Sequence, residues 1–67
     1  MNAQSDRFLE VIVYTVEVFS NQEKALRWLS SPRFELHGRT PISVIHEDEG
    51  YEEVMGMLVR IAHGVYS

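Results

Sequence analysis

Pro32, Gly38 and Pro41 interrupt the middle of this chain and decide how it can be laid out. Proline has no amide hydrogen to give a helix, and the residue before it is pushed out of the helical region. No regular helix can therefore run through Ser31 or Thr40. Ser30-Ser31-Pro32 ends whatever helix comes before, and Thr40-Pro41 opens another, with Thr40 as the N-cap and Pro41 at the first helical position. Between them, Gly38 suits a positive φ or a close backbone approach. The chain is thus two helical stretches joined by an irregular segment over residues 31–39. In that segment the alternation of Phe34 and Leu36 predicts both side chains tucked into the core.

The stretch 8–19 is ambiguous locally. Val11, Ile12, Val13, Thr15, Val16 and Val18 are β-branched and favour a strand. Arg7, Glu10, Tyr14, Glu17 and Asn21 instead recur every three or four residues, as one face of a helix does. The stretch also exceeds the usual strand length of about five or six residues. A helix is predicted over residues 5–19, with residues 1–6 polar and disordered. Ser20-Asn21-Gln22-Glu23 reads as a capping box, in which Ser20 and Glu23 satisfy each other's amides. The second helix runs to residue 29 or 30, with Ala25, Leu26, Trp28 and Leu29 facing inward.

Beyond the break, a short helix is predicted over residues 41–46, then an acidic turn. Asp48 is the expected N-cap of the last helix, where a carboxylate suits the positive end of the helix dipole. That helix spans residues 49–63, with an apolar stripe of Tyr51, Val54, Met55, Leu58, Ile61, Ala62 and Val65 and Gly64 as its stop signal.

Sixty-seven residues make one domain. A chain this short buries only about 60% of its unfolded surface, and it has no cysteine to staple it. Partner surface or a second copy is therefore expected to complete the core. The first helix is apolar on more than one face, which predicts a homodimer. Net charge is −4, and Glu47, Asp48, Glu49, Glu52 and Glu53 crowd one short stretch. This opposes direct nucleic-acid binding, which needs clustered cations. No apolar run approaches the ~20 residues of a membrane span, and residues 1–7 lack a signal-peptide core, so the expected location is cytoplasmic.

His37, His46 and His63 have no ligand-like partner at helical spacing, so no metal site is read. His46 and Glu47 are adjacent and would point apart on a helix. The acids read as helix capping and solvated surface, since a catalytic pair would need one carboxyl buried. Trp28 is read as a core anchor. No catalytic set and no cofactor site is visible. The aromatic tail 64–67 has no evident core role, and Tyr suits interfaces.

The ordered set Val18-Phe19, Ala25-Leu26-Arg27-Trp28-Leu29, Pro32, Leu36, Gly38, Thr40-Pro41, Gly50, Val54, Leu58, Ile61 and Gly64 resembles the Xre/MbcA/ParS-like antitoxin toxin-binding domain family. The likeness covers residues 16–66. Trp-Leu followed by Leu-x-Gly-x-Thr-Pro carries most of it, and no single piece is specific. It implies an all-α fold, a compact bundle of about four helices with the last one longest. It implies a partner too: a RES-type toxin, a fold that acts on NAD⁺. The last helix and tail would seat against the toxin and block nucleotide entry, through Arg60, His63, Tyr66 and Ser67. Trp28, Leu29, Gly38, Thr40, Pro41 and Gly50 would hold the fold. Many family members carry a helix-turn-helix DNA-binding domain ahead of this one. Only about fifteen residues precede the likeness here, so DNA reading is not carried over. A homodimeric adaptor without a toxin is the alternative.

Trp28→Ala is expected to cost about 3–5 kcal/mol, as for other buried aromatics. That is a large share of the stability of so small a domain. A thermal melt checks it, and a variant that melts with wild type would place Trp28 on the surface.

Overall fold

The breaks at Pro32 and Pro41 set the element order. A computed structural model describes the backbone of residues 3–66 and the side chains of residues 6–64. Helix α1 (Ala3–Phe19) is followed by α2 (Gln22–Leu29), a 3-10 turn (Phe34–Leu36), α3 (Pro41–Val44) and α4 (Asp48–Tyr66), the longest. There is no strand among the described residues. The β-branched run of α1 is helical, so the three-to-four spacing outweighs local propensity. Residues 3–6, expected to be disordered, are helical. Helix α1 packs on α2 and α4, and α3 packs on α2 and α4. The radius of gyration is 11.3 Å, close to the ~11 Å of a compact chain this long.

The inner stripe of α1 is Val11, Thr15 and Val18. Thr15 is fully buried, and its hydroxyl donates to the Val11 carbonyl at 2.6 Å, so no polar atom there is orphaned. Against this stripe lie Trp28 and Leu29 of α2 and Val54, Met57 and Leu58 of α4, with Leu36 and Val44 closing the core. Trp28 is 8% exposed, 6.0 Å from the Phe19 ring, as expected of a core anchor. Met57, not among the residues expected to face inward, also belongs to the stripe of α4, three residues after Val54 and four before Ile61.

Several local expectations shift. Ser20 takes a left-handed φ of 53°, and its amide donates to the Val16 carbonyl, closing α1. A residue in that conformation cannot supply the extended backbone that an N-cap needs. The capping role therefore passes to Asn21, whose side-chain oxygen accepts from the Lys24 amide at 2.8 Å. Leu26 is exposed rather than inward, because Ala25, Trp28 and Leu29 already fill the narrow buried face of α2. Phe34 is 95% exposed, while Leu36 is buried. Alternation puts two side chains on one side only in extended chain; in a 3-10 turn with three residues per turn, positions i and i+2 face different ways. Thr40 is the N-cap of α3 by backbone, and its carbonyl, not its hydroxyl, makes the contacts, accepting from the Ser43 amide and hydroxyl. Helix α3 ends at Val44, two residues before the expected end at 46.

Gly38 has the anticipated positive φ of 84°, next to His37 at 58°. These two left-handed residues fold residues 33–39 back on themselves: the Leu36 and Gly38 amides donate to the Arg33 carbonyl, and the Arg33 amide donates to the Arg39 carbonyl. Gly64 is not a stop signal. Helix α4 runs through it to Tyr66, and its φ is not left-handed. Asp48 is the first residue of α4 rather than its cap, and its carboxylate meets Arg7 at 2.6 Å. Beside that pair the Tyr51 hydroxyl donates to Glu10 at 2.8 Å, and the Arg7 guanidinium lies 5.0 Å from the Tyr51 ring centroid. Four polar residues thus fasten the start of α1 to the start of α4.

Gly50 and Gly56 share a helix and should respond oppositely to alanine. A Cβ on Gly50 would fall 2.1 Å from the Val44 carbonyl oxygen, and backbone cannot step aside cheaply. Gly50→Ala is expected to destabilise by about 1–3 kcal/mol, as overpacking does. A Cβ on Gly56 meets nothing within 4 Å, so Gly56→Ala is expected to stabilise by about 0.5–1 kcal/mol through helix propensity. Denaturant melts of the two variants check both signs.

Donation to the Glu10 carboxylate raises the Tyr51 phenol above its ordinary 10.0, helped by partial burial and the Glu10 charge and opposed by Arg7. The fold thus favours the protonated phenol. Its contribution is fully present below pH 10 and is lost as pH rises through the raised value. Tyr51→Phe should weaken the fold by about 1 kcal/mol or less at neutral pH. Alkaline melts should show the gap between variant and wild type closing as the phenol ionises.

Candidate functional site

The inward stripe of α4, at Val54, Met57, Leu58 and Ile61, fixes which of its residues face out. Arg60 and His63 are both exposed and lie three residues apart, on one ridge of the helix. Tyr66 continues the same spacing in the backbone; its side chain, and Ser67 altogether, lie outside the described residues. His63 stands in the last turn, where a protonated ring would meet the negative end of the helix dipole.

The ridge does not stand alone. Arg60 lines a groove with Trp28, Arg33, Glu35, Met57 and Ile61. A neighbouring groove is lined by Phe19, Lys24, Arg27, Trp28, Ser31 and Arg33. Trp28 and Arg33 form the wall between them. The Arg33 guanidinium carbon sits 5.0 Å from the centre of the Trp28 ring, within cation–π range. Its Nε is buried with no hydrogen-bond partner. Arg33 was missed in the sequence because it follows Pro32 in a segment read only for its turn chemistry. The signal that could have found it is the bias of cations toward residues 24–33, in a chain whose acids crowd residues 47–53.

Elsewhere the surface is of other kinds. On α1, Leu9 and Val13 are 61% and 56% exposed, in a shallow groove with Asp6, Glu10, Tyr14 and Glu17. In the acidic turn, Glu47 is 3.4 Å from Arg39 and Asp48 is paired with Arg7. His46 and Glu47 do approach each other, at 3.7 Å, because α3 ends at Val44 and the two residues lie in a turn rather than on a helix. Among the described residues no three His, Cys, Asp or Glu side chains gather as metal ligands would. Nor is any described helix long and apolar enough to cross a membrane. The arrangement offers contact surface: an apolar and cationic pair of grooves flanked by the outer ridge of the longest helix.

Comparison with known proteins places this fold. Residues 15–64 match the profile of the family described as the antitoxin Xre/MbcA/ParS C-terminal toxin-binding domain. A protein named antitoxin Xre from Yersinia enterocolitica is 36% identical over 62 residues, covering 91% of this chain and 42% of its own length. Proteins of the same name from Photorhabdus laumondii and Pseudomonas putida are each 34% identical, with 91% of this chain and 42% and 40% of theirs covered. The chain therefore spans about two-fifths of the length of these curated relatives. No solved structure gives a significant match. The matched residues 15–64 hold the buried Trp28, the Gly38 turn, the Thr40-Pro41 helix start and the Gly50 contact, and the chain belongs to the antitoxin Xre/MbcA/ParS C-terminal toxin-binding domain family.

Proposed function

We propose that this domain is the toxin-binding part of an antitoxin, and that its partner is a RES-type toxin that consumes NAD⁺. The observation that carries the reading is the family match over residues 15–64, which takes in all four helices in whole or part. The mechanism is steric. Arg60 and His63 form an outward ridge near the end of α4, and the helix continues through Gly64 to Tyr66. A helix end of this kind can be placed at the mouth of an active site without chemistry of its own. Arg60, His63, Tyr66 and Ser67 are the proposed contacts, Tyr66 as the aromatic anchor. The domain has no catalytic role in this reading, works in the cytoplasm, and needs no nucleic acid.

A second reading rests on α1. Leu9 and Val13 point outward although they are large and apolar, so a second copy covering that face would make the chain a homodimer, with a toxin partner as above or, in the alternative, as an adaptor without one. Sedimentation at about 100 μM, well above usual dimer affinities, reads this directly: a dimer supports self-association and a monomer removes it.

Removing Val65, Tyr66 and Ser67 separates the tail's binding role from any structural one. Stability is expected to fall by about 1 kcal/mol or less. Capture of a co-expressed RES-type toxin should fall at least about tenfold, the scale of an aromatic hot spot. A truncated chain that stays folded and still captures and silences the toxin would put the contact elsewhere.

A further inference from the structure

The chain is acidic overall, yet four of its six Lys and Arg residues, Lys24, Arg27, Arg33 and Arg60, line the two grooves that share Trp28. The other two are spent, Arg7 on Asp48 and Arg39 on Glu47. Of the four, Arg27 pairs with Glu23 at 3.0 Å. Among the described residues Lys24, Arg33 and Arg60 have no carboxylate within ion-pair distance. Arg33 is instead stacked on Trp28 with its Nε–H unbonded. So three of the four cations of this face have no carboxylate partner within the described residues, and Lys24 and Arg60 have no cation–π contact either. Glu35, in the same groove, is the exception in sign.

Beside Arg33 in the chain stands Phe34, 95% exposed. A phenylalanine in water contributes nothing to the core, yet its backbone is firmly held. The His37 amide donates to the Phe34 carbonyl, and the flanking amides of Leu36 and Gly38 donate to Arg33. With the backbone fixed, only the two side-chain torsions of the ring remain to be ordered on binding, a low cost for the apolar area it offers.

We infer that the Trp28–Arg33 face, with Phe34 at its edge, is a docking surface for an acidic segment of the toxin that carries an apolar side chain to cover Phe34. The inference rests on the toxin-binding reading and widens it from the end of α4 across to the 3-10 turn. Charge complementarity selects the occupant. A second copy docking through the same face, as a two-fold dimer does, would bring four cations toward their own kind. Nucleic acid would have to approach through a net −4 field, past Glu23 and Glu35.

The test uses this chain co-expressed with a RES-type toxin. Phe34→Ser should melt with wild type, since the ring touches little, and should weaken toxin capture about tenfold or more. Lys24→Glu with Arg60→Glu should weaken capture and flatten its dependence on ionic strength, because the lost contacts are electrostatic. A benzophenone amino acid at position 34 should crosslink to the toxin, and the crosslinked peptide should be rich in Asp and Glu. If wild type captures the toxin and both sets of variants bind as tightly, the toxin reading stands and this surface is overturned. Crosslinking of position 34 to a second copy, or tight binding of a single-stranded oligonucleotide that Lys24→Glu abolishes, overturns the assigned occupant. If wild type captures no toxin, the toxin reading fails and the occupant fails with it.

Discussion

The second half of the fold depends on Gly50 lying against the Val44 carbonyl with no Cβ between them. Helix α3 is only Pro41–Val44, too short to hold itself by its own hydrogen bonds. It persists because Pro41 presets its first φ and because its last residue sinks against the first turn of α4, where no side chain stands in the way. Val44 and Ile45 are buried by that approach, and Val54 and Leu58 are then aimed at α1 and α2. A wider gap would lift the whole of α4, and with it the outward ridge at Arg60 and His63.

The two halves of the chain carry different charge. Cations cluster from Lys24 to Arg33, acids from Glu47 to Glu53. Folding does not mix them fully. Arg39 and Arg7 each neutralise one acid at the α3–α4 turn, whereas the cations around Trp28 remain next to an apolar surface. Net charge alone would have suggested a uniformly acidic molecule that avoids acidic partners. The local field near Trp28 is of the opposite sign, and a partner meets the local field first at short range, within a Debye length of about 8 Å at physiological salt.

The helices, their order and most of the core were legible in the sequence because periodicity reports burial directly. Pro41 and Gly38 announced their own geometry. What could not be read was anything decided by a neighbour. Ser20 and Asn21 both cap well, and the choice fell to Asn21 only because α1 ends in a left-handed Ser20. Phe34 reads as a core residue only on an extended pitch, which the 3-10 turn does not have. Gly64 resembles a helix stop, yet a glycine ends a helix only when the chain turns back there, and α4 goes on. Arg60 and His63 could be placed on one outward ridge by counting, but the grouping of Arg60 with Arg33 and Trp28 spans three elements and needs the fold.

The clasp among Arg7, Glu10, Asp48 and Tyr51 is built differently from the core it flanks. Val11, Thr15 and Val18 anchor the second half of α1 in apolar surroundings, while its first half is held to α4 by exposed polar contacts, with Asp48 side chain 87% exposed. Such contacts are individually weak and exchange readily with water. Opening free energy is therefore graded along α1, low at its beginning and approaching the global value past Val11. The buried stretch of α1 from Val11 onward, and not its polar beginning, therefore guards the covering of Trp28 and Leu29 and the surface formed by α2 and α4.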